Sequence, residues 1–278
     1  MTLMDYINAL RAEEISRILS RYGDLFRGKD LLEIGSGTGA QLRLLAEVCR
    51  SAVGIEVGGS QYAPYKLAEI QQYDGKHIPF PDASFDIIFS SNVIEHIRDE
   101  ETIHGEMHRV LRPGGIAVHT VPTHHWRLWT SIIHYPNLIR KIARRLRPGD
   151  KSDSTKPFAA LPPKSWSRRL GNILVSEHHG EFGNRFTEYY HFHPDSWRRR
   201  FEKHGWCVET VEPLGLAYEG NCLLAERVSM NTRAFWARLL GSASVLLIMR
   251  PRRRDDRAGL PPIPGSVASQ ARDGHTVE

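Results

Sequence analysis

The sequence predicts an α/β fold: one seven-stranded, mostly parallel sheet with helices on both faces and an inserted cap. Three observations predict it. A short β-prone run, Asp30-Leu-Leu-Glu-Ile34, leads into glycines at alternate positions, Gly35, Gly37 and Gly39, and then into a helical pattern from Gln41 to Val48. Strand-length apolar runs alternate with amphipathic stretches along most of the chain, and that alternation builds right-handed βαβ units. The length of 278 residues, with 41% hydrophobic and 25% charged residues, suits a globular chain of this class.

The elements follow in order. Residues 5–27 read as an amphipathic helix, with Ile7, Leu10, Ile15, Ile18, Leu19 and Leu25 at helical spacing and Gly28 closing it. Its expected role is packing against one side of the sheet. The opening strand, the glycine turn and a helix over 39–50 come next. Ala52–Val57 is the second strand, Glu69–Tyr73 the third and Phe85–Ser90 the fourth, with room for only a brief helix between the second and third. Glu100–Val110 reads as a helix, broken by Arg112-Pro-Gly-Gly115 before the fifth strand, Ile116–Val121.

Residues 123–193 interrupt the alternation and are expected to form the cap. An aromatic and apolar stretch from His124 to Pro136 precedes a basic helix reaching Arg147, then a Pro- and Ser-rich loop over 148–165 and a helical stretch from Trp166 to Val175. His193-Pro-Asp-Ser196 has the chemistry of a helix start, and Gly205 stops that helix before a sixth strand, Trp206–Val211. Leu223–Leu240 reads as helix. Ser244–Met249 is expected to be a buried seventh strand paired with the sixth, with a membrane-surface anchor as the alternative. Residues 1–250 are thus expected to form one domain, and 251–278 a disordered basic and polar tail.

Ligands on parallel sheets sit beyond the carboxyl ends of the strands. Glu33, Glu56, Asp74 and Ser90–Asn92 all fall at or just after strand ends, so they are expected to converge. A glycine-rich strand–turn–helix can hold a dinucleotide, a mononucleotide or S-adenosylmethionine. The strictly alternate glycines do not fit the dinucleotide G-x-G-x-x-G spacing, and no Gly-Lys-Ser/Thr ending marks a phosphate loop. The loop has a carboxylate beside it and no nearby cation for a pyrophosphate. Glu33 suits a ligand carrying ammonium and sulfonium charges, and Glu56 suits the hydroxyls of a ribose.

Four blocks carry a resemblance to a known family. Leu31-Leu-Glu-Ile-Gly-Ser-Gly-Thr-Gly39 resembles motif I of class I S-adenosylmethionine-dependent methyltransferases, which have a Rossmann-like fold. Asp74–Asp86, Ser90-Ser-Asn-Val-Ile-Glu-His96 and Val110-Leu-Arg-Pro-Gly-Gly115 resemble the following blocks of the type 11 group, in order, over roughly residues 28–122. The resemblance implies that Gly35, Gly37 and Gly39 hold the methionine part of the cofactor, with Glu33 near its amino group. It further implies Glu56 on the ribose, Asp74 and Gly75 at the adenine, and Ser91 and Asn92 on the methyl-donor side. Gly58-Gly59 departs from the usual helix-starting acidic pair in the short stretch before Asp74.

Methyl transfer to an oxygen calls for a positioned base, and histidine titrates near neutrality. His96, after the fourth strand, and His124 and His125, after the fifth, are the candidates. Tyr189, Tyr190, His191 and His193 form a second candidate wall. His178 and His179 suggest a metal, but no cysteine or acidic group at ligand spacing supports one, so none is expected.

Three scattered cysteines give no disulfide framework, and the start of the chain has no signal-peptide pattern, so a cytoplasmic protein is expected. No apolar run reaches the roughly 20 residues needed to cross a bilayer. The net charge of +5 concentrates at Arg140–Arg147, Arg198–Arg200 and Arg250–Arg254. Trp126, Trp129, Tyr135 and the helix over 138–147 invite peripheral contact with an anionic membrane on the inner face. The expected acceptor is a small molecule, a glycan or a lipid-linked compound, methylated on oxygen. An RNA or protein methyltransferase, or a non-catalytic S-adenosylmethionine-binding module, is the alternative. The segment after the fourth strand lacks the Asn-Pro-Pro-Tyr pattern of base methylation, so nucleic acid is not the expected partner.

Overall fold

The computed structural model describes residues 3–60, 62–145, 179–181, 184, 186–220 and 227–252. The expected loop over 148–165, the helical stretch 166–175 and the tail after residue 252 lie outside them. Seven strands form one sheet in the order β3-β2-β1-β4-β5-β7-β6. They are β1 (Asp30–Ile34), β2 (Ser51–Val57), β3 (Ile70–Tyr73), β4 (Phe85–Ser91), β5 (Leu111–Pro122), β6 (Trp206–Pro213) and β7 (Ser244–Pro251). β7 lies antiparallel between β5 and β6, and the β3-β2-β1-β4-β5 ladders are parallel. The sheet is mixed, as expected of a mostly parallel one.

The helices are α1 (Leu3–Phe26), α2 (Ala40–Ala46), α3 (Glu100–Val110), α4 (His124–Arg145), α5 (Glu188–His191), α6 (Pro194–Lys203) and α7 (Met230–Leu240). Successive side chains of a strand point to opposite faces, and two cores result. On one face α1 sets Ile15, Ile18, Tyr22 and Phe26 against Leu31, Phe89, Val118 and Ile248. On the other, Ile103 and Met107 of α3 and Trp197 and Phe201 of α6 pack with Leu32, Ile34, Ile88 and Leu247. Two indoles have their polar ends satisfied in this second core. Trp197 Nε1 donates to Pro122 O at 2.9 Å, and Trp206 Nε1 donates to His104 Nδ1 at 3.0 Å.

Several local expectations are corrected. The Arg112–Gly115 stretch does not separate helix from strand: β5 starts at Leu111 and takes an irregularity in its pairing with β4. Arg112 is held there by Asp30 at 2.7 Å and Asp86 at 3.0 Å. Pro136 does not divide α4, which runs through it. The helix expected from Leu223 begins within the described residues at Met230, where the Ser229 hydroxyl caps Thr232 N at 3.2 Å. The membrane-anchor alternative for Ser244–Met249 is overturned, because every residue of that run is buried between β5 and β6. Trp126 and Trp129 do not face outward together: Trp126 is buried, and Trp129 Nε1 donates to Leu240 O at 2.9 Å.

Candidate functional site

A cavity of about 630 Å³ opens at the carboxyl edge of β1, β2 and β4. Parallel strands end there together, and each passes at once into a loop, so residues distant in sequence share one wall. Gly35, Gly37, Glu56, Asp74, Gly75, Ser91, Asn92 and His96 all line it. Gly39, the N-cap of α2, lies behind the loop, and a Cβ there would come within 2.8 Å of Ala68. Glu33, inside β1, is not part of the lining.

The loop between β1 and α2 requires glycine. Gly35 has φ +71, and a Cβ on it would approach the Val93 side chain to 2.5 Å. Gly37 has φ +54 and faces the Tyr62 ring at ordinary contact distance. Both dihedrals disfavour any residue with a side chain. Gly37 N donates to Glu56 Oε2 at 2.7 Å, which ties the loop to the end of β2.

The lining carries four carboxylates, Glu56, Asp74, Asp99 and Glu181, and three cations, Arg11, Lys76 and Arg98. Glu33 is buried, and its Oε2 has no hydrogen-bond partner. Burial is the main cause that pushes its pKa up to about 8. Asp74 is exposed and accepts from Lys76 N and His77 N, both at 2.7 Å, and from the His77 ring. Those bonds, led by the one from His77 N, hold its pKa well below the usual carboxylate range. Asp99 and Glu181 also line the cavity, against Arg11, Lys76 and Arg98. Asn92 sits at φ +52, a conformation uncommon outside glycine. Its N donates to Thr120 O at 2.8 Å, and the Thr120 hydroxyl donates to Ser91 Oγ at 2.9 Å. These bonds hold the wall after β4 in place.

His96 ends a short 3-10 turn, Ile94–His96, and reaches the cavity with its ring against His179 at 4.8 Å. Burial lowers its pKa. Glu95 beside it is fully buried. Neither of its carboxylate oxygens has a hydrogen-bond partner among the described residues, and burial pushes its pKa up to about 7. Its Oε1 lies 4.0 Å from His96 Nε2 and 3.9 Å from His179 Nε2. The segment carrying His179 is anchored by Glu188, whose Oε1 accepts from His179 N at 2.6 Å and Gly180 N at 2.9 Å. Glu188 pairs in turn with the buried Arg127 of α4 at 2.8 Å. His178 lies outside the described residues.

His124 and His125 lie elsewhere. They open α4 after β5, with their rings 4.0 Å apart and His193 stacked on His124 at 4.8 Å. Burial, with His125 and His193 adding to it, lowers the His124 pKa to about 4. His125 lines a second cavity of about 580 Å³ with Arg17, Arg21 and Arg238. Neither residue lines the first cavity. Tyr189, Tyr190, His191 and His193 are absent from its lining too.

Sequence reasoning missed the contribution of α1. Met4, Ile7, Asn8 and Arg11 line the cavity, and Asn8 Oδ1 accepts from the Thr38 hydroxyl at 3.0 Å. The signal was present: these four fall on one helical stripe whose last two members are polar. Tyr62, Asp99 and Glu181 also escaped notice.

Left-handed glycines allow close backbone approach, a buried carboxylate with one unpartnered oxygen stands behind them, and four carboxylates line the cavity beside three cations. Such a site suits a nucleoside carrying ammonium and sulfonium charges. Residues 32–119 match the family profile described as "Methyltransferase domain". Over that stretch the chain is similar to S-adenosylmethionine-dependent methyltransferases. A relative from Mycolicibacterium smegmatis, named as an S-adenosylmethionine-dependent methyltransferase, is 35% identical over 99 residues, covering 34% of this chain and 38% of its own length. An uncharacterized methyltransferase from Mycobacterium sp. (strain KMS) is 34% identical over 167 residues, covering 54% of this chain and 64% of its own length. A solved structure from Listeria monocytogenes, assigned as an S-adenosylmethionine dependent methyltransferase, superposes with a TM-score of 0.50. It is 13% identical over 87% of this chain and 98% of that one, a likeness of fold alone.

Proposed function

We propose that this methyltransferase carries a methyl group from S-adenosylmethionine to an oxygen of a small-molecule, glycan or lipid-linked acceptor. One observation carries the reading: loop glycines, the Glu56 and Asp74 carboxylates, the Ser91–Asn92 wall and His96 share a single cavity. Bound there, the cofactor would supply a methyl group on a cationic sulfur, already activated for in-line displacement. The chain's residues do the rest. Glu33 faces the ammonium group from behind the glycine loop. Glu56 accepts from ribose hydroxyls while it fixes the loop through Gly37 N. Asp74 and Gly75 hold the base. Ser91 and Asn92 shape the wall on the methyl side, and the acceptor oxygen is positioned against it.

His96 is the proposed base for the acceptor hydroxyl. Its lowered pKa keeps the ring neutral at physiological pH, so it can take a proton. His124 and His125 line no wall of this cavity and have no role in this proposal.

Calorimetry of the full chain with S-adenosylmethionine tests the cofactor assignment, and absence of binding at millimolar concentration sinks it. A turnover screen across phenols, sugars, lipid extracts and RNA tests the acceptor class. Transfer to RNA alone would overturn the oxygen-acceptor reading.

A further inference from the structure

Glu95 is fully buried, and neither of its carboxylate oxygens has a hydrogen-bond partner among the described residues. A buried carboxylate is costly unless it is protonated, paired or bound to a metal. Two imidazoles stand beside it. His96 Nε2 lies 4.0 Å from Glu95 Oε1, and His179 Nε2 lies 3.9 Å from the same oxygen. One ligand atom from each of the three residues falls within 4.8 Å of the others. Both separations are too long for a hydrogen bond. Zinc binds imidazole nitrogen and carboxylate oxygen at about 2.0–2.2 Å, so two ligand atoms across a tetrahedral ion stand about 3.4 Å apart. Closing each gap by about 0.5 Å would bring the groups onto one ion.

The ligands are fixed from two sides. His96 ends the turn after β4, where its N donates to Val93 O at 2.9 Å. On the other side, Glu188 Oε1 accepts from His179 N and Gly180 N, and Glu181 N donates to Glu95 O at 2.8 Å. The His179 ring lies against Trp126 at 4.5 Å. Nothing in the sequence sets His179 beside a carboxylate; the fold does. His96 is partly exposed and lines the first cavity, which gives an ion a way in.

A second cluster, Glu100, His104 and His204, has similar spacing but is already engaged. Arg200 Nε donates to Glu100 Oε1. Trp206 Nε1 donates to His104 Nδ1 at 3.0 Å, which puts the proton of the neutral ring on Nε2 and leaves no lone pair there. Among the described residues, no donor of that kind reaches the Glu95 carboxylate.

We propose that Glu95, His96 and His179 form a site for one divalent transition-metal ion, with zinc the best fit. Mixed nitrogen and oxygen donors favour zinc over magnesium or calcium, which take oxygen. One consequence rests on the reading of His96 as the base. An imidazole bound through Nε2 keeps its single proton on Nδ1 and has no lone pair left. A chain loaded with zinc then transfers no methyl group to an oxygen acceptor.

Calorimetry of the untagged full chain with zinc chloride, after treatment with a chelator, tests the site. The visible absorption of added cobalt(II) reports the coordination. One ion per chain is expected. Glu95→Gln and His179→Ala are each expected to weaken zinc binding about 100-fold or more and to remove the cobalt spectrum. Circular dichroism identifies folded variants, and either variant alone carries the test should the other fold poorly. The proposal is overturned if the wild type takes up no zinc at about 100 μM, or if folded variants bind it as tightly as the wild type. Turnover is read separately. A loaded chain that still methylates an oxygen overturns His96 as the base, while binding lost in the variants supports the site.

Discussion

The carboxyl edge of the sheet is built in two ways. On the β1–β2–β4 side the chain turns directly after each strand, and these turns bring backbone into the cavity wall: left-handed glycines, the Asn92 turn and loop amides held by Glu56 and Asp74. On the β5–β7 side β5 leads into the long helix α4, and the surroundings of His124, His125 and Arg127 are side chains packed from α1, α4, α5 and α7. A backbone-built site needs particular residue types at fixed spacing. A side-chain-built site can be assembled from many sequences. The two halves therefore differ in what a substitution does to them.

The largest effect is expected in the glycine loop. Gly35→Val places a β-branched side chain at φ +71 against Val93 and should weaken S-adenosylmethionine binding by about 100-fold or more by calorimetry. Retained affinity would break the assignment of the loop. His96→Ala should leave that affinity within about twofold and lower kcat about 100-fold on an oxygen acceptor. In the wild type, kcat should hold from pH 8 down to 6.5 and fall only below that, because burial lowers the His96 pKa from 6.5. An acid limb centred above 6.5 would exclude His96 as the base.

Glu56→Gln keeps the shape and removes the charge. Cofactor affinity should fall about tenfold through weaker bonds to ribose and to Gly37 N. Glu33 makes a prediction about the protein free of cofactor. Its folded pKa of about 8 lies above the ordinary 4.5, so the folded state holds a proton that the unfolded state has lost between those values. The stability contribution is present below about pH 4.5 and drains away as pH rises toward 8. Glu33→Gln should flatten that slope and raise stability at pH 7 by about 1–3 kcal/mol in chemical denaturation, while weakening cofactor binding. The smallest effect sharpens the contrast. His125→Ala, in the second cavity, should leave cofactor affinity and kcat within about twofold.

Legibility in the sequence followed the same division. The strands from β1 to β5 and the glycine turn were readable because each obeys local rules: periodicity, strand length and dihedrals open only to glycine. Asn8 and Arg11 were missed because an amphipathic helix gives its packing stripe clearly, while the partner of its polar stripe is set by how the helix crosses the sheet. Trp126 and Trp129 look alike as exposed anchors in the sequence, yet one is buried and the other is bonded to Leu240 O. Nothing local distinguishes them from Leu128 and Ile132, which are exposed.

By itself, the sequence determined the glycine-loop half of the sheet's carboxyl edge. Alternate glycines after a buried strand and carboxylates at strand ends are local requirements of backbone approach and charge, and they survive without knowledge of the neighbours. Only the tertiary structure decided the other half. It inserted β7 between β5 and β6, separated His96 from His124 and His125, and buried Glu95 beside His96 and His179. It also turned the apolar stripe of α4 outward. The reason is physical: burial depends on contacts between residues far apart in the chain, and no local pattern encodes them.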